Sequence, residues 1–280
     1  MIQDIAPHRF QNEYCPKPPG PDSYLLCYRG REALVKWEDG TLDFPRFRDL
    51  DKDQTYLREK VLYLFSIDDE AFYLLPYEEG RALLGVTMEK LNLFRTASPG
   101  HLAFAGITGA QLYRWYRSRR FCGCCGQRMK HDKKERMLYC GECQNREYPK
   151  IMPAVIVGVT DGSRLLMSKY APGRGNNRYA LIAGFAEIGE TLEETVKREV
   201  MEEVGLRIKN LRYYKSQPWS FSDTLLVGFF ADLDGEDKIT LDQEELSMAE
   251  WYEKEEIPVY ESTGSLTNEM ILGFKHGLCG

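Results

Sequence analysis

Three glutamates with helical spacing could bind a divalent cation. Glu199, Glu202 and Glu203 stand at i, i+3 and i+4, so a helix would place their carboxylates along one edge. Carboxylates this close repel one another unless a cation lies between them, and their oxygens suit Mg2+ or Mn2+. The alternative is an acidic helix face in contact with solvent, which is the usual role of a charge run.

The flanking residues predict a helix over residues 192–204. Thr191, followed three residues later by Glu194, fits a capping box, and Gly205 fits the left-handed position just beyond a helix end. Three valines recur every four residues within the helix and form an apolar face beside the acidic edge. We therefore expect one face to pack against a core while the other offers oxygen ligands.

The whole stretch resembles the box of the Nudix hydrolases, G-x5-E-x7-R-E-U-x-E-E-x-G-U, where U is a bulky aliphatic residue. All nine specified positions, within twenty-three residues, are matched by Gly184, Glu190, Arg198, Glu199, Val200, Glu202, Glu203, Gly205 and Leu206. The resemblance implies an α/β/α sandwich in which the box forms a loop-helix-loop. It also implies hydrolysis of a nucleoside diphosphate linked to another moiety, with Mg2+ or Mn2+ held by the box glutamates.

Four of the eight cysteines have zinc-ligand spacing. Cys122-x2-Cys125 and Cys140-x2-Cys143 are separated by fourteen residues, which is one residue shorter than the usual ribbon gap. Disulfides or reduced structural thiols are the alternatives, but disulfides are rare in the cytoplasm. Cys124 could replace its neighbour as a ligand, although the paired spacing favours Cys125. Four thiolates predict a closed, structural zinc site, because catalysis needs an open coordination position.

The segment around these cysteines is basic although the chain is acidic. The cations are Arg114, Arg117, Arg119, Arg120, Arg128, Lys130, Lys133, Lys134 and Arg136. Such a patch is either a solvated surface or a track for the phosphates of a long substrate.

Composition limits the class of protein. The net charge of -6 and the pI near 5.5 argue against a generally basic nucleic-acid-binding surface. No apolar run is long enough to span a bilayer, and the first ten residues lack the apolar core of a signal peptide. We expect a cytoplasmic protein with no membrane partner.

The pattern of apolar runs predicts an α+β or α/β protein of three parts. In residues 1–118, short aromatic runs between hairpin-type turns predict a mostly antiparallel sheet, and Ser98-Pro99 precedes a predicted helix over 102–119 with Pro99 at its first position. Residues 119–149 form the predicted zinc ribbon.

Residues 150–280 form the predicted Nudix domain. Longer apolar runs predict strands of a mixed sheet over 151–160, 164–170, 179–182, 211–217 and 224–232, and a closing helix from Ser265. The box helix follows the third of these strands.

A second motif narrows the family resemblance. Residues 216–221, SQPWSF, look like the SQPWPFP motif of the NADH pyrophosphatase branch, with Ser220 and Ser222 in place of its later prolines. The four-cysteine ribbon and the preceding domain also agree with that branch. The resemblance implies that the chain cleaves the pyrophosphate of NADH or NAD+ to reduced or oxidised nicotinamide mononucleotide and AMP, as a homodimer.

Position by position, the resemblance implies which residues of this chain bind the catalytic metal. They are Glu199, Glu203, Glu245 and the backbone carbonyl of Ala183. Glu244 is adjacent to Glu245 and could take its role. Glu203 is expected both to bind metal and to help deprotonate water, with Glu202 as the alternative.

The same branch implies contacts to the dinucleotide. The expected substrate residues are Tyr148, Phe185, Gln217, Pro218, Trp219, Ser220, Phe221, Ser222, Asp223, Thr224, Thr267 and Arg95. For the two aromatic residues Tyr148 and Phe185, ordinary core packing is the alternative.

Three other functions fit parts of the pattern. The basic patch suits hydrolysis of NAD-capped RNA, and the box alone also suits other nucleoside diphosphate derivatives such as ADP-ribose. A nucleotide-sensing zinc-ribbon binding module is the non-enzymatic alternative. The complete set of box glutamates counts against it, because a sensor does not need catalytic carboxylates.

Overall fold

The computed structural model describes residues 1–50, 54–81, 83–173, 178–258 and 264–278. The chain divides into two compact units. The N-terminal unit comprises Ile2–Lys150 together with Ser220–Ser222, and the C-terminal unit comprises Met1, Ile151–Trp219 and Asp223–Gly280. The finer boundaries at residues 118 and 149 stay a prediction. No helix within the described ranges is long and apolar enough to cross a membrane.

The N-terminal unit contains a seven-stranded, mostly antiparallel sheet, as the sequence predicts. Its strands and helices are β1 (Phe10–Gln11), β2 (Tyr24–Arg29), β3 (Glu32–Glu38), β4 (Thr41–Asp43), α1 (Gln54–Arg58), β5 (Leu62–Ile67), β6 (Glu70–Leu75), α2 (Tyr77–Gly80), β7 (Thr87–Lys90) and α3 (Gly100–Ser118). The strand order is β1-β5-β6-β2-β3-β4, and β7 pairs with β3. The β2–β6 pair is parallel.

Helix α3 packs closely on this sheet. The sequence predicted Pro99 at the first helical position, but Pro99 is the N-cap residue and the helix begins at Gly100. Two glycines permit the close packing: a Cβ on Gly106 would lie 2.6 Å from the Phe94 ring, and one on Gly109 would lie 2.4 Å from Leu26. Glycine usually weakens a helix interior, so these positions favour packing over helix propensity.

The cysteine-rich segment of this unit forms a small three-stranded sheet. It consists of β8 (Lys130–His131), β9 (Leu138–Tyr139) and β10 (Arg146–Glu147), and β9 is the central, antiparallel strand.

The C-terminal unit contains the predicted mixed sheet. Its elements are β11 (Met152–Asp161), β12 (Arg164–Tyr170), β13 (Ile182–Phe185), α4 (Leu192–Val204), β14 (Ile208–Trp219), β15 (Thr224–Leu233), β16 (Leu246–Glu253) and α5 (Leu266–Lys275). The strand order is β14-β15-β11-β12-β16, with β13 paired to β11. The β11–β15 pair is parallel and the others are antiparallel.

The two helices cover opposite faces of this sheet. Side chains alternate between the faces of a strand, and on β11 Val155 and Val157 join the core cluster that contains Val200 of α4. Ile156, between them, joins the cluster that contains Met270 of α5. This is the expected α/β/α sandwich.

Two strands differ from the sequence prediction. The third strand begins at Ile182 instead of residue 179, because Ala180 only bridges Ser168, whereas Ile182–Phe185 pairs with β11. Strand β16 is an edge strand in which only Leu246 is buried and no regular alternation of apolar and polar residues occurs, so its sequence lacks a strong strand pattern.

Candidate active site and metal centres

Local signals fix both ends of the box helix. The Thr191 hydroxyl accepts a hydrogen bond from the Glu194 backbone N–H at 3.2 Å, and the Thr191 N–H donates to the Glu194 carboxylate at 2.8 Å. Gly205 has φ 69°, the left-handed conformation that glycine adopts readily. The predicted helix bounds and caps are therefore confirmed.

Arg198 connects the carboxylates of the box. It donates twice to Glu190, at 2.6 and 2.9 Å, and once each to Glu199 at 2.7 Å, to Glu202 at 2.9 Å and to the Phe185 carbonyl at 2.9 Å. A guanidinium has five N–H donors, so all of them are used. Hydrogen bonds from Arg198 hold the pKa of Glu190 at about 2. The role of Arg198 is thus to orient carboxylates.

Glu203 is the most buried carboxylate of the edge. The residue is 4% exposed, and its Oε2 has no hydrogen-bond partner among the described residues. Burial raises the pKa of Glu203 to about 8, the charges of Glu199 and Glu245 add to this, and the Ala183 backbone N–H opposes it. A buried carboxylate with an unpartnered oxygen is costly unless a cation compensates it.

Glu199 lies directly against strand β13. A Cβ on Gly184 would lie 1.9 Å from the Glu199 carboxyl carbon, so the glycine leaves the space that this side chain fills. Burial raises the pKa of Glu199, although the hydrogen bond from Arg198 opposes the shift.

Glu245 reaches the same cluster from the turn before β16. Its charge raises the pKa of both Glu199 and Glu203. Glu244 is exposed and is not among the causes of either shift. Asp242, which the sequence reasoning did not single out, also raises the pKa of Glu203, and its backbone N–H donates to the Glu203 carbonyl at 2.9 Å.

This arrangement fits a hard divalent cation. It offers oxygen atoms from two segments of the chain, an excess of negative charge and one buried oxygen without a protein partner. Glu202, in contrast, has a 58% exposed side chain and is held by Arg198.

The four predicted cysteine ligands converge. The sulfur atoms of Cys122, Cys125, Cys140 and Cys143 all lie within 4.8 Å of one another. The Cys122–Cys143 and Cys125–Cys140 sulfurs are 3.5 and 3.4 Å apart, far beyond a disulfide length of about 2 Å. A tetrahedral zinc with Zn–S of about 2.3 Å requires sulfur separations of about 3.8 Å. Cys124 is exposed and outside this group, so the set fits zinc as expected.

Backbone N–H groups favour negative charge on two of the four thiols, whereas the pKa values of Cys125 and Cys143 are raised. Backbone N–H groups of Cys125 and Cys124 lower the pKa of Cys122 to about 6. The Cys143 and Glu142 N–H groups likewise lower the pKa of Cys140. Each of these cysteines therefore begins a loop whose amides point at its own sulfur.

Several predicted substrate residues lie in the C-terminal unit. Phe185 ends β13 and is 52% exposed, so it is not a core aromatic. Gln217 is fully buried: its amide donates to the Gly264 carbonyl at 2.7 Å and accepts from the Leu266 N–H at 2.8 Å. Gln217 thus anchors the start of α5, on which Thr267 lies. The other members of the motif here are Pro218, Trp219, Asp223 and Thr224, at the facing ends of β14 and β15.

The remaining predicted substrate residues belong to the N-terminal unit. Tyr148 is 50% exposed and donates to Glu135 at 2.9 Å, so it is not a core residue. The Arg95 guanidinium lies 4.4 Å from the centre of the Phe221 ring. Arg114, which the sequence reasoning placed only in the basic patch, donates to the Ser220 carbonyl. Ser222 is exposed.

The basic patch divides into two sets. Arg119 pairs with Glu147, and Arg136 donates to the Leu64 and Asn12 carbonyls, so both have structural partners. The exposed cations are Arg117, Arg120, Arg128, Lys130, Lys133 and Lys134.

Comparison with known proteins agrees with this site. A family model for the NUDIX domain matches residues 150–270. A protein of Klebsiella pneumoniae subsp. pneumoniae named NAD-capped RNA hydrolase NudC is 43% identical over 185 residues, 66% of this chain and 70% of the relative. Its namesake from Pectobacterium atrosepticum is 45% identical over 163 residues, 58% of this chain and 62% of the relative.

A solved Nudix hydrolase from Nitrosomonas europaea is 21% identical, with a TM-score of 0.48, over 56% of this chain and 91% of that one. Given the family match, the similarity to the two NudC proteins, the intact box and the four-cysteine cluster, the chain belongs to the Nudix hydrolases, in their NADH pyrophosphatase branch.

Proposed function

We propose that the chain hydrolyses the pyrophosphate bond of NADH or NAD+, producing reduced or oxidised nicotinamide mononucleotide and AMP. The observation that carries the proposal is the buried, unpartnered oxygen of Glu203 beside Glu199 and Glu245, within a complete Nudix box. The similarity to NudC proteins, whose name specifies an NAD-capped substrate, supports the choice of dinucleotide.

Glu199, Glu203, Glu245 and the Ala183 carbonyl would hold Mg2+ or Mn2+. When bound, the cation would polarise the phosphate oxygens and make a bound water easier to deprotonate. Glu203 is the better candidate for proton acceptor, because it is buried within the carboxylate cluster and its Oε2 has no hydrogen-bond partner among the described residues, whereas Glu202 is exposed and held by Arg198. Arg198 fixes the carboxylates so that their oxygens face the reaction.

The aromatic and motif residues would bind the dinucleotide. Phe185, Tyr148, Thr267, Arg95 and the segment 217–224 are proposed contacts. The exposure of Phe185 and Tyr148 supports a role in stacking on planar rings. The Arg95 guanidinium over Phe221 would in addition position the motif segment.

NAD-capped RNA is the second candidate substrate. The names of the relatives and the exposed cations of the cysteine-rich segment favour it. The rate of hydrolysis of a capped RNA should then fall as the salt concentration rises. Replacing Arg120, Lys133 and Lys134 with alanine should reduce this salt dependence. Hydrolysis of NADH should not respond to these substitutions.

The remaining features are also proposals. We expect a cytoplasmic homodimer, for which light scattering gives the mass, and a tightly bound zinc in the cysteine cluster. A non-enzymatic nucleotide sensor would bind NADH tightly without turnover.

The function is tested by incubating the purified chain with NADH, NAD+ or ADP-ribose and Mg2+ or Mn2+. Liquid chromatography should detect AMP and nicotinamide mononucleotide in equal amounts. If neither dinucleotide is cleaved faster than ADP-ribose, the substrate assignment is wrong although the family remains.

A further inference from the structure

A cavity of about 370 Å3 lies within the N-terminal unit and contains no residue of the Nudix box. Its volume is within the range of small-molecule sites. The lining residues that matter here are Arg29, Arg31, Glu32, Lys90, Asn92 and Phe221.

The cavity is positively charged in an acidic chain. Three cations and one carboxylate line it, a net charge of +2, whereas the whole chain carries -6. Arg29 is held by Glu32 at 3.2 Å and by the Tyr77 hydroxyl at 3.1 Å. Arg31 and Lys90 are exposed, and within the described ranges no ion pair or hydrogen bond engages either side chain. Two cations are therefore available to an anion.

The backbone that carries these cations is fixed. Glu32 and Lys90 face each other in the β3–β7 pair, and the Leu91 N–H donates to the Arg31 carbonyl at 3.1 Å. Gly30 lies in the turn between β2 and β3 and has φ 62°, a conformation that glycine adopts readily. A binding site held by paired strands pays less ordering entropy than a flexible loop would.

An aromatic ring and an amide complete the lining. Phe221 is partly buried against the core of this unit, with the Arg95 guanidinium 4.4 Å from its ring centre. Asn92 is exposed and can both donate and accept hydrogen bonds. The cavity thus combines cations for a phosphate with a planar surface and an amide for a heterocyclic base.

We propose that this cavity binds a mononucleotide through its phosphate monoester. Arg31 and Lys90 pair with the phosphate, which is close to a dianion at neutral pH and matches the net charge of the lining. Asn92 and Phe221 contact the base. Phe221 also belongs to the segment that carries the second sequence motif, so a ligand here touches that segment directly.

The test uses the full chain with AMP or inorganic phosphate in buffer without added divalent cations. Hydrogen-exchange mass spectrometry should show that AMP protects peptides covering residues 29–35 and 87–95. Replacing Arg31 and Lys90 together with alanine should abolish this protection and weaken AMP binding by at least about tenfold, because hydrogen bonds to charged groups are lost. The matched variant with Arg9 and Lys60 replaced, two exposed cations outside the cavity, should behave as the unmodified chain.

Inorganic phosphate distinguishes the ligand sources. Weaker protection by phosphate than by AMP supports a nucleotide, whereas equal protection shows a phosphate site and overturns the proposal. Absence of AMP protection at both segments, or equal loss in the matched variant, also overturns it. NADH hydrolysis by the Arg31 and Lys90 variant should remain within about twofold, so a failure of the proposed function and a failure of this cavity site give different results.

Discussion

The two candidate metal sites differ in how their ligands carry charge. In the cysteine cluster, four sulfurs lie within 4.8 Å of one another, and backbone N–H groups stabilise the thiolates of Cys122 and Cys140. On the box helix, burial and the neighbouring carboxylates make the charged form of Glu203 unfavourable. Backbone N–H groups therefore favour charge on two of the four cysteines, while hydrogen bonds between the thiols outweigh the backbone and raise the pKa of Cys125 and Cys143. The charged glutamate, in contrast, depends on a cation. The first arrangement suits a permanent structural site and the second suits an exchangeable catalytic one.

The largest expected effect concerns the cysteine cluster. Replacing buried Cys140 with serine should remove the zinc, because structural zinc contributes on the order of 10 kcal/mol in small domains and needs all its ligands. Elemental analysis of the purified variant should find much less than one zinc per chain. The matched Cys124→Ser variant should keep its zinc, and equal loss from both would mean that the ligand set is wrong.

The next effect is the cost of the Glu203 charge. Because the folded pKa is about 8 and the unfolded value about 4.5, the folded state binds more protons between these values. The free energy of unfolding should then fall by about 1.4 kcal/mol per pH unit as the pH rises, on the order of 4 kcal/mol by pH 8.

Urea unfolding without added divalent cations measures this cost. The slope attributable to Glu203 should disappear in Glu203→Gln and persist in Glu193→Gln, since Glu193 is exposed. An identical pH dependence of the unfolding free energy in both variants would show that burial does not raise the pKa of Glu203.

Substitution should have a smaller effect on the rate of hydrolysis at Glu245, and almost none at the adjacent Glu244. Glu245→Gln should slow NADH hydrolysis by about 100-fold, because losing a metal ligand costs a few kcal/mol of transition-state stabilisation. Glu244→Gln should change the rate by less than about twofold. The opposite ranking would exchange their assignments.

The smallest effect is expected at Glu202. Its side chain is exposed and bonded to Arg198, so Glu202→Gln should slow hydrolysis only a few-fold through weaker orientation of the neighbouring carboxylates. A loss as large as that of Glu203→Gln would make Glu202 the proton acceptor.

Local signals explain why the box helix could be predicted from sequence. Thr191, Glu194 and Gly205 define its ends through contacts within a few residues. The bounds of the strand Ile182–Phe185 are harder to predict from sequence, because Gly184 is of a residue type common in loops. The glycine is needed for contact with Glu199, fifteen residues later in the chain.

Features that depend on distant contacts could not be predicted. The family resemblance assigned Glu245, but no local signal separates it from Glu244, because the difference depends on the turn before β16. Nothing local in Phe221 indicates that it lines one cavity with Arg29, Arg31, Glu32 and residues 90–92. The cysteine cluster was predictable because zinc ligands follow fixed spacings within each loop.

The most direct measurement is the rate of NADH hydrolysis by Glu203→Gln with saturating Mn2+. We expect a loss on the order of 1,000-fold in kcat with the zinc content unchanged, because the buried ligand and proton acceptor is removed. The Glu193→Gln control should keep the rate of the unmodified chain. A Glu203→Gln variant that hydrolyses NADH within about tenfold of that rate would contradict the assignment of this carboxylate cluster as the catalytic centre.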